Sequence, residues 1–335
     1  MYQTIKEGKA KLIVDIGKVS RKLEVFYNPV MEFNRTISVL LLNALGKKDM
    51  QIALPLAASG VRGVRFLKEV KGIKKVYMND ISKNAVNLMK KNVKLNNVKK
   101  VEITNKDANI FFLESKGFDY IDIDPFGSPV GFLDCAIKRL ARDGILAVTA
   151  TDTGALAGSF PTAGLRKYWA KSAKNDTMHE NGVRILIRRV QLIGASMDKA
   201  LVPIFSYSKD HYYRVFFKCE KGRQKADKVL KMHGMFNGAG EMWLGQLWNR
   251  KLAADIAKQS NDKFLKLIVE ESRIDAVGFY NIPKLCKRYK IEMKKQQEII
   301  SGIREKGYNV AVTHFAENSL RSDISETELV KLLSQ

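Results

Sequence analysis

Residues 122–129, DIDPFGSP, set a carboxylate, a proline and an aromatic ring in consecutive positions, Asp124, Pro125 and Phe126. That combination suits methyl transfer to an exocyclic amino nitrogen. The lone pair of such a nitrogen is delocalised, so an acceptor must hold its N–H bonds while the pair faces the incoming carbon. Asp124 is that acceptor, and the backbone carbonyl of Pro125 is available for the second N–H. Pro125 fixes the chain through its ring, and Phe126 offers a flat apolar surface to grip a base. Asp122 shares the strand face two residues earlier and reads as a deeper structural or positioning group. An ordinary strand-end turn also accommodates these residues, so the place of the motif in the fold decides between the two readings.

Three further features precede it. The loop AASGVRGVRF (57–66) carries Gly60 and Gly63, which permit a tight turn under a ligand and a close helix approach. A plain strand-to-helix turn explains this loop equally well. Asp80 lies 20 residues beyond Gly60, where an acidic side chain accepts hydrogen bonds from adenosine ribose hydroxyls; an N-cap partner for the following helix is the competing reading. Asp107 is placed to take an adenine amino group, and Ala108 leaves room for the ring; an Asx turn is the competing reading.

The elements that must position these residues alternate. Strands are expected at 51–56, 74–79, 100–104, 119–123 and 145–150, with helices at 61–70, 83–95 and 130–140 between them. Ser82 is the expected N-cap of the second helix. Short apolar strands separated by amphipathic helices imply a parallel sheet covered on both faces. A long helix near 179–200 precedes strands at 201–208 and 211–220, whose two-residue link allows only an antiparallel hairpin. A parallel sheet ending in one antiparallel hairpin is the strand pattern of class I methyltransferases. A nicotinamide-dependent dehydrogenase would continue with a parallel strand. Elsewhere, alternation of Leu12, Val14, Ile16, Leu23 and Val25 points to an N-terminal hairpin over 9–27, and a helix is expected from about Asn34. Residues 221–240 read as a linker, and 250–335 as a basic, helix-rich region with a strand at 308–315. Two domains follow, 1–220 and 221–335.

Composition bounds the partner. The chain has 335 residues and 58 Lys plus Arg against 35 Asp plus Glu, for a net charge of +23, which favours a polyanion. Cys135, Cys219 and Cys286 are far apart, which excludes a disulfide framework and a local zinc motif. No apolar run reaches membrane-spanning length and no leader is apparent, so a cytoplasmic protein is expected. Basic residues cluster in 286–295, where Lys287, Arg288, Lys294 and Lys295 are expected to form one helical face that tracks phosphates.

Taken together, the chain resembles the tRNA (guanine-26) N2-dimethyltransferases, particularly archaeal-type members. The resemblance covers nearly the whole chain. It rests on FYNPVMEFNR (26–35), ASGVRGVRF (58–66), NDIS (79–82), DAN (107–109) and DIDPFGSP (122–129). It continues through TATDTGALAG (149–158), HENGVR (179–184), MWLGQLW (242–248) and VTHFAENSLRSD (312–323). It implies a class I, Rossmann-like α/β fold with a mostly parallel seven-stranded sheet, plus a smaller α+β C-terminal domain. It also implies S-adenosylmethionine as cofactor and tRNA as substrate, with N2-methyl- and N2,N2-dimethylguanosine as products. On the same ground Arg35, Arg65, Asp80, Asp107 and Ala108 bind the cofactor, with Gly60 in the loop beneath it and Arg62 a further candidate. Leu54-Pro55 stand where relatives tend to carry an acidic residue. The cysteine cluster that some relatives carry before 242–248 is lacking, so no metal is expected. A monomer is favoured.

The rival functions are methylation of another RNA base or a neighbouring guanine, a dehydrogenase, and a non-enzymatic RNA-binding protein. The acid-proline-aromatic motif counts against the last. Among the remaining polar residues, Asp152, His179 and Glu180 are candidates for the guanine pocket or for structural roles. His211 and His233 show no ligand spacing. His314 reads as packing or RNA contact, and Trp243 and Trp248 as core.

Overall fold

Two short strands flank the Gly8-Lys9 turn. β1 (Tyr2–Glu7) and β2 (Ala10–Asp15) pair antiparallel, with Glu7 opposite Ala10. The computed structural model describes residues 2–15 and 24–335. The hairpin therefore begins earlier than the expected 9–27, and Ile16 and Leu23 lie outside the described residues. Alternation marked only β2, because β1 is exposed at most positions and carries no apolar face.

Asn28 starts the next segment by accepting the N–H of Val30 at 3.0 Å, opening a 3-10 turn at Pro29–Met31 that leads into α1 (Glu32–Leu45). Strand and helix then alternate: β3 (Met50–Leu54), α2 (Val61–Glu69), β4 (Ile73–Asn79), α3 (Lys83–Leu95), β5 (Val101–Thr104), α4 (Ala108–Glu114), β6 (Phe118–Ile123), α5 (Val130–Arg139) and β7 (Leu140–Ala150). Ser82 caps α3 as expected, its Oγ accepting the N–H of Ala85. After β7 come α6 (Thr153–Leu156), α7 (Pro161–Tyr168), α8 (Met178–Ala195), β8 (Lys199–Lys209) and β9 (Tyr212–Lys221).

Seven strands form one sheet in the order β5-β4-β3-β6-β7-β9-β8. Pairing is parallel from β5 through β7. The two-residue link between β8 and β9 makes the final pair antiparallel. Consecutive strands lead away from β3 in one direction through β4 and β5, and in the other through β6 and β7. The order thus reverses between β3 and β6, and a crevice at the carboxyl ends of these strands is the expected ligand position.

The chain divides into two compact units. One comprises Met1–Thr151, Val190–Val202 and Phe216–Leu230, the other Asp152–Arg189, Pro203–Val215 and Lys231–Gln335. This differs from a single break after residue 220, because α6, α7 and most of α8 group with the C-terminal residues. The interval 221–240 is not a linker. It holds α9 (Arg223–Leu230), which buries Ala226 and Val229, and the first part of a ribbon, β10 (His233–Phe236) with β11 (Ala239–Trp243). The turn between them is Asn237-Gly238, both at positive φ, as a two-residue hairpin turn requires.

Beyond the ribbon run α10 (Arg250–Ala257), α11 (Lys263–Glu271), β12 (Tyr280–Asn281), α12 (Ile282–Tyr289), α13 (Gln296–Glu305), β13 (Val310–Val312), β14 (Ser319–Ser322) and α14 (Glu326–Ser334). β14 lies between β12 and β13, so the expected strand is part of a three-stranded sheet. Helices α12, α13 and α14 close a core on it, including Leu285, Ile299, Ile303, Leu320, Leu329 and Leu333. The basic residues of 286–295 do not share a helical face. Lys290 takes the left-handed conformation and ends α12, Arg288 binds Glu326, and Lys294 reaches the carbonyl of Leu332. Among the described residues no helix is long and apolar enough to cross a membrane.

Candidate active site

The loop after β3 is built for close approach. Gly60 sits at φ 76 and begins α2, and a Cβ there would lie 2.8 Å from Cγ of Met89. At Gly63 a Cβ would meet Sδ of Met78 at 2.3 Å, so α2 lies against β4 only because this residue lacks a side chain. Asp80, immediately after β4, ties the loop down. Its Oδ2 accepts the N–H of Ala58 at 2.9 Å and its Oδ1 that of Ser82 at 2.9 Å. An ionised carboxylate has about four lone-pair sites, so these two bonds leave acceptor capacity on both oxygens.

Asp124 follows β6 at the switch point. Nη2 of Arg62, from α2, donates to its Oδ2 at 2.5 Å. The same guanidinium donates to Ser38 Oγ at 2.9 Å and Asn34 Oδ1 at 2.8 Å, and its Nη1 lies 3.3 Å from Asp122 Oδ2. Asp122 is buried and also accepts the hydroxyl of Tyr120 at 2.6 Å. Asp122 lies deeper than Asp124, as expected. Among the described residues, Asp124 Oδ1 has no hydrogen-bond partner, and the side chain is 22% exposed. The following turn is pinned by Thr151. Gly127 donates to Thr151 Oγ1 at 2.7 Å, and the N–H of Thr151 donates to the carbonyl of Gly127 at 3.0 Å. Phe126, 47% exposed, meets the ring of Phe26 edge-on with centroids 4.2 Å apart.

These residues line one cavity of 580 Å³. Asp80, Asp124, Pro125, Phe126, Arg35 and Arg62 all border it, as do Phe26 and Leu54. Ligand pockets of drug-sized molecules span roughly 300–1,000 Å³, so a nucleoside-sized group fits. Gly60, Arg65, Asp107 and Ala108 are not among its lining residues. Asp107 is an exposed N-cap whose Oδ1 accepts the N–H groups of Asn109 and Ile110 at 2.8 and 3.2 Å.

Sequence reasoning missed Glu7, which is buried beneath Arg35 and Arg65. Its carboxylate accepts from Arg35 Nε and Nη2 at 2.7 and 2.6 Å, from Arg65 Nη1 at 3.0 Å and from Tyr27 Oη at 2.9 Å. Burial alone would raise its pKa, but the bonds from Arg35 and Tyr27 and the charges of Arg35 and Arg65 bring it below the usual range. Arg65 is bound on its other side by Glu69 at 2.8 Å. No local pattern in 1–15 marks Glu7, because its partners lie 20 to 58 residues away.

The family described as N2,N2-dimethylguanosine tRNA methyltransferase matches this chain over residues 3–238 and 231–334. The chain belongs to that family. A tRNA (guanine(26)-N(2)/guanine(27)-N(2))-dimethyltransferase of Aquifex aeolicus is 38% identical, over 99% of this chain and 96% of the relative. A tRNA (guanine(26)-N(2))-dimethyltransferase of Methanosphaera stadtmanae is 36% identical, over 98% and 96%. The structure of Trm1 from Pyrococcus horikoshii in complex with S-adenosyl-L-methionine aligns at TM-score 0.92 and 34% identity, covering 99% of this chain and 100% of that one.

Three motifs of the family resemblance lie in the second unit and converge on one buried ion network. Arg321 binds Glu180 at 2.7 Å and Glu271 at 3.0 Å, and Arg184 binds Glu180 at 2.8 Å. Arg184 also donates to the carbonyls of Trp243 and Gly245. His314 Nδ1 lies 2.6 Å from Glu271 Oε2, and its Nε2 faces the N–H of Ser208 at 3.2 Å. Burial opposes ionisation of Glu271, yet His314 and Arg321 hold its pKa at about 2. Glu180 is thus a network member with no exposure to solvent, and His179 bonds Tyr213. Trp243 and Trp248 are core residues, 6% and 4% exposed. Asp152 accepts from Tyr168 at 2.6 Å and Lys167 at 3.0 Å. Among the described residues, no group of three or more His, Cys, Asp and Glu side chains is arranged to hold a metal.

Proposed function

We propose that this chain transfers methyl groups from S-adenosylmethionine to the exocyclic N2 of guanine 26 in tRNA, forming N2-methylguanosine and then N2,N2-dimethylguanosine. The observation that carries the reading is Asp124, with one carboxylate oxygen fixed by Arg62 and the other unbonded at the wall of a cavity at the sheet switch point. Membership in the family supplies the substrate class, and the loop, acidic strand end and cavity size fit a nucleoside cofactor.

S-adenosylmethionine, when bound, supplies an electrophilic sulfonium methyl group. Asp80 accepts the ribose hydroxyls through the capacity left beside Ala58 and Ser82. Asp107 and Ala108 serve the adenine end, and Gly60 keeps the loop low beneath the ligand. Arg35, which borders the cavity, contacts the cofactor directly. Arg65 supports it through the shared Glu7. Arg62 is a positioning residue for Asp124 rather than a cofactor ligand. Asp124 Oδ1 and the carbonyl of Pro125 accept the two N2–H bonds, so that the nitrogen lone pair faces the methyl carbon. As the N–C bond forms and the methyl–sulfur bond breaks to leave a neutral thioether, the nitrogen becomes acidic, and Asp124 Oδ1 receives its proton. Phe126 and Phe26 grip the base, which leaves its helical stack at a cost of a few kcal/mol.

Cys135, Cys219 and Cys286 are unpaired, in keeping with a reducing, cytoplasmic setting. Nucleoside analysis of an unmodified tRNA transcript after reaction with labelled cofactor tests the reading. Label in N2-methylated guanosine at position 26 is expected. The Aquifex relative is named for guanine 27 as well, so a transcript lacking guanine 26 distinguishes the neighbouring target. Label in adenosine would overturn the assignment.

A further inference from the structure

Among the described residues, the second unit holds a buried cation with no carboxylate partner. Arg189, in α8, is 8% exposed, and its buried Nε and Nη1 have no hydrogen-bond partner. Among the described residues no carboxylate compensates it; burial first, and then the like charge of Arg188, lower its pKa. An unpaired buried guanidinium is unfavourable in the free protein. It is therefore more readily explained by an anion that arrives with a ligand. Nη2, the remaining nitrogen, forms the edge of the group at the surface.

Cζ of Arg189 lies 3.6 Å from the ring centroid of Trp169. Trp169 is 58% exposed, unlike the two core tryptophans. Its backbone is fixed as the left-handed C-cap of α7 at φ 53, and its carbonyl accepts Nη1 of Arg188 at 3.0 Å. Arg188 is itself held by Glu241 at 2.6 Å. The indole is thus backed by a cation on one face and open to solvent over much of its surface. On the same segment Phe160 and Leu165 are 65% and 62% exposed, and Arg166 is exposed beside them.

We propose that Trp169 and Arg189 form an RNA subsite, where an unpaired nucleobase stacks on the open face of Trp169 and an adjoining phosphate meets the Nη2 edge of Arg189. This rests on the reading of tRNA as substrate and adds a place where a nucleotide other than the target is held. Base–aromatic stacking tolerates any base, since each has a π face, and the guanidinium behind the indole makes a three-layer stack. A planar guanidinium fork suits phosphate. Bases inside a duplex are already stacked, so the occupant is a loop, bulge or flipped nucleotide. Arg166, Arg188 and Arg189, with a net charge of +23, fit a polyanion better than an acidic or apolar protein surface.

Titration of the full chain with unmodified tRNA transcript, read by intrinsic tryptophan fluorescence and by filter binding, tests this. Because Trp169 is the exposed one of three tryptophans, stacking should quench its emission. Trp169→Phe should lose the quench yet bind within about threefold. Trp169→Ala should raise Kd about tenfold, in the range of one base–aromatic stack. Arg189→Met should lower the log–log salt slope by roughly 0.7–0.9. Quenching that persists in Trp169→Phe, or unchanged affinity in Trp169→Ala, overturns the subsite while the substrate reading stands. A change in sedimentation of Trp169→Ala without a change in tRNA affinity would make this a self-association face and also overturn it. If the wild-type chain binds no tRNA, the subsite and the proposed substrate fail together.

Discussion

Arg62 and Arg321 each contact two carboxylates inside the molecule, in separate units, and they differ in what they leave over. Around Arg321 the four oxygens of Glu180 and Glu271 all have partners: Arg184, Arg321, Gly278, Thr313 and His314. Around Arg62, Asp122 is buried and bonded, but Asp124 keeps Oδ1 unbonded beside a cavity. The closed network is sealed from solvent, so it offers no acceptor to a substrate and acts on stability and on the uniqueness of packing. The open one leaves a single acceptor at the cavity wall, where we propose that the base is oriented. Similar ion pairs therefore serve two purposes, and exposure separates them: Glu180 and Glu271 are fully buried, whereas the Asp124 side chain is 22% exposed.

The largest effect is expected from opening the closed network. Arg321→Ala removes the cation shared by two buried carboxylates and should cost roughly 3–5 kcal/mol. Trp169, Trp243 and Trp248 all lie in the second unit, so tryptophan fluorescence during urea unfolding reports on it. A loss below about 1 kcal/mol would mean the network is not structural. Next comes Asp80→Ala, which should weaken cofactor binding by roughly 2–4 kcal/mol and leave tRNA affinity nearly unchanged. Calorimetry with S-adenosylmethionine reads this directly, and unaltered affinity in a folded variant removes Asp80 from the cofactor site.

A smaller, graded effect distinguishes the two regions by pH. The folded pKa of Glu271, about 2, lies below its ordinary 4.5, so its contribution is present above the unfolded value and lost as pH falls toward 2. The stability of the second unit should decline between about pH 4.5 and 2, and the decline should be shallower in Glu271→Gln. An equal slope in both proteins would assign the acid sensitivity elsewhere.

The sheet was legible because its strands and helices are short, bounded and of different period. Residues 83–95 even announce their own cap at Ser82. The place of Asp124 was legible for the same reason, since a strand end can be read locally. Its partner was not. Arg62 is 62 residues away, and an arginine on the helix after a glycine-bearing loop resembles a cofactor ligand. Glu7 was hidden similarly, on a largely exposed strand with no apolar alternation. Asn237-Gly238 was a readable hairpin turn, obscured by the charged run before it. The basic segment 286–295 misled because periodicity cannot foresee that Lys290 turns left-handed and ends α12.

The central claim is that Asp124 orients the amino group, and single-turnover methyl transfer at saturating cofactor and tRNA tests it most directly. Asp124→Ala should react about two to three orders of magnitude more slowly, the scale for losing one preorganised polar contact. Cofactor and tRNA binding should stay within a few fold. Asp124→Asn should fall between, since its carbonyl still accepts one N–H but takes up no proton. A near-wild-type rate in a folded Asp124→Ala variant would contradict the claim.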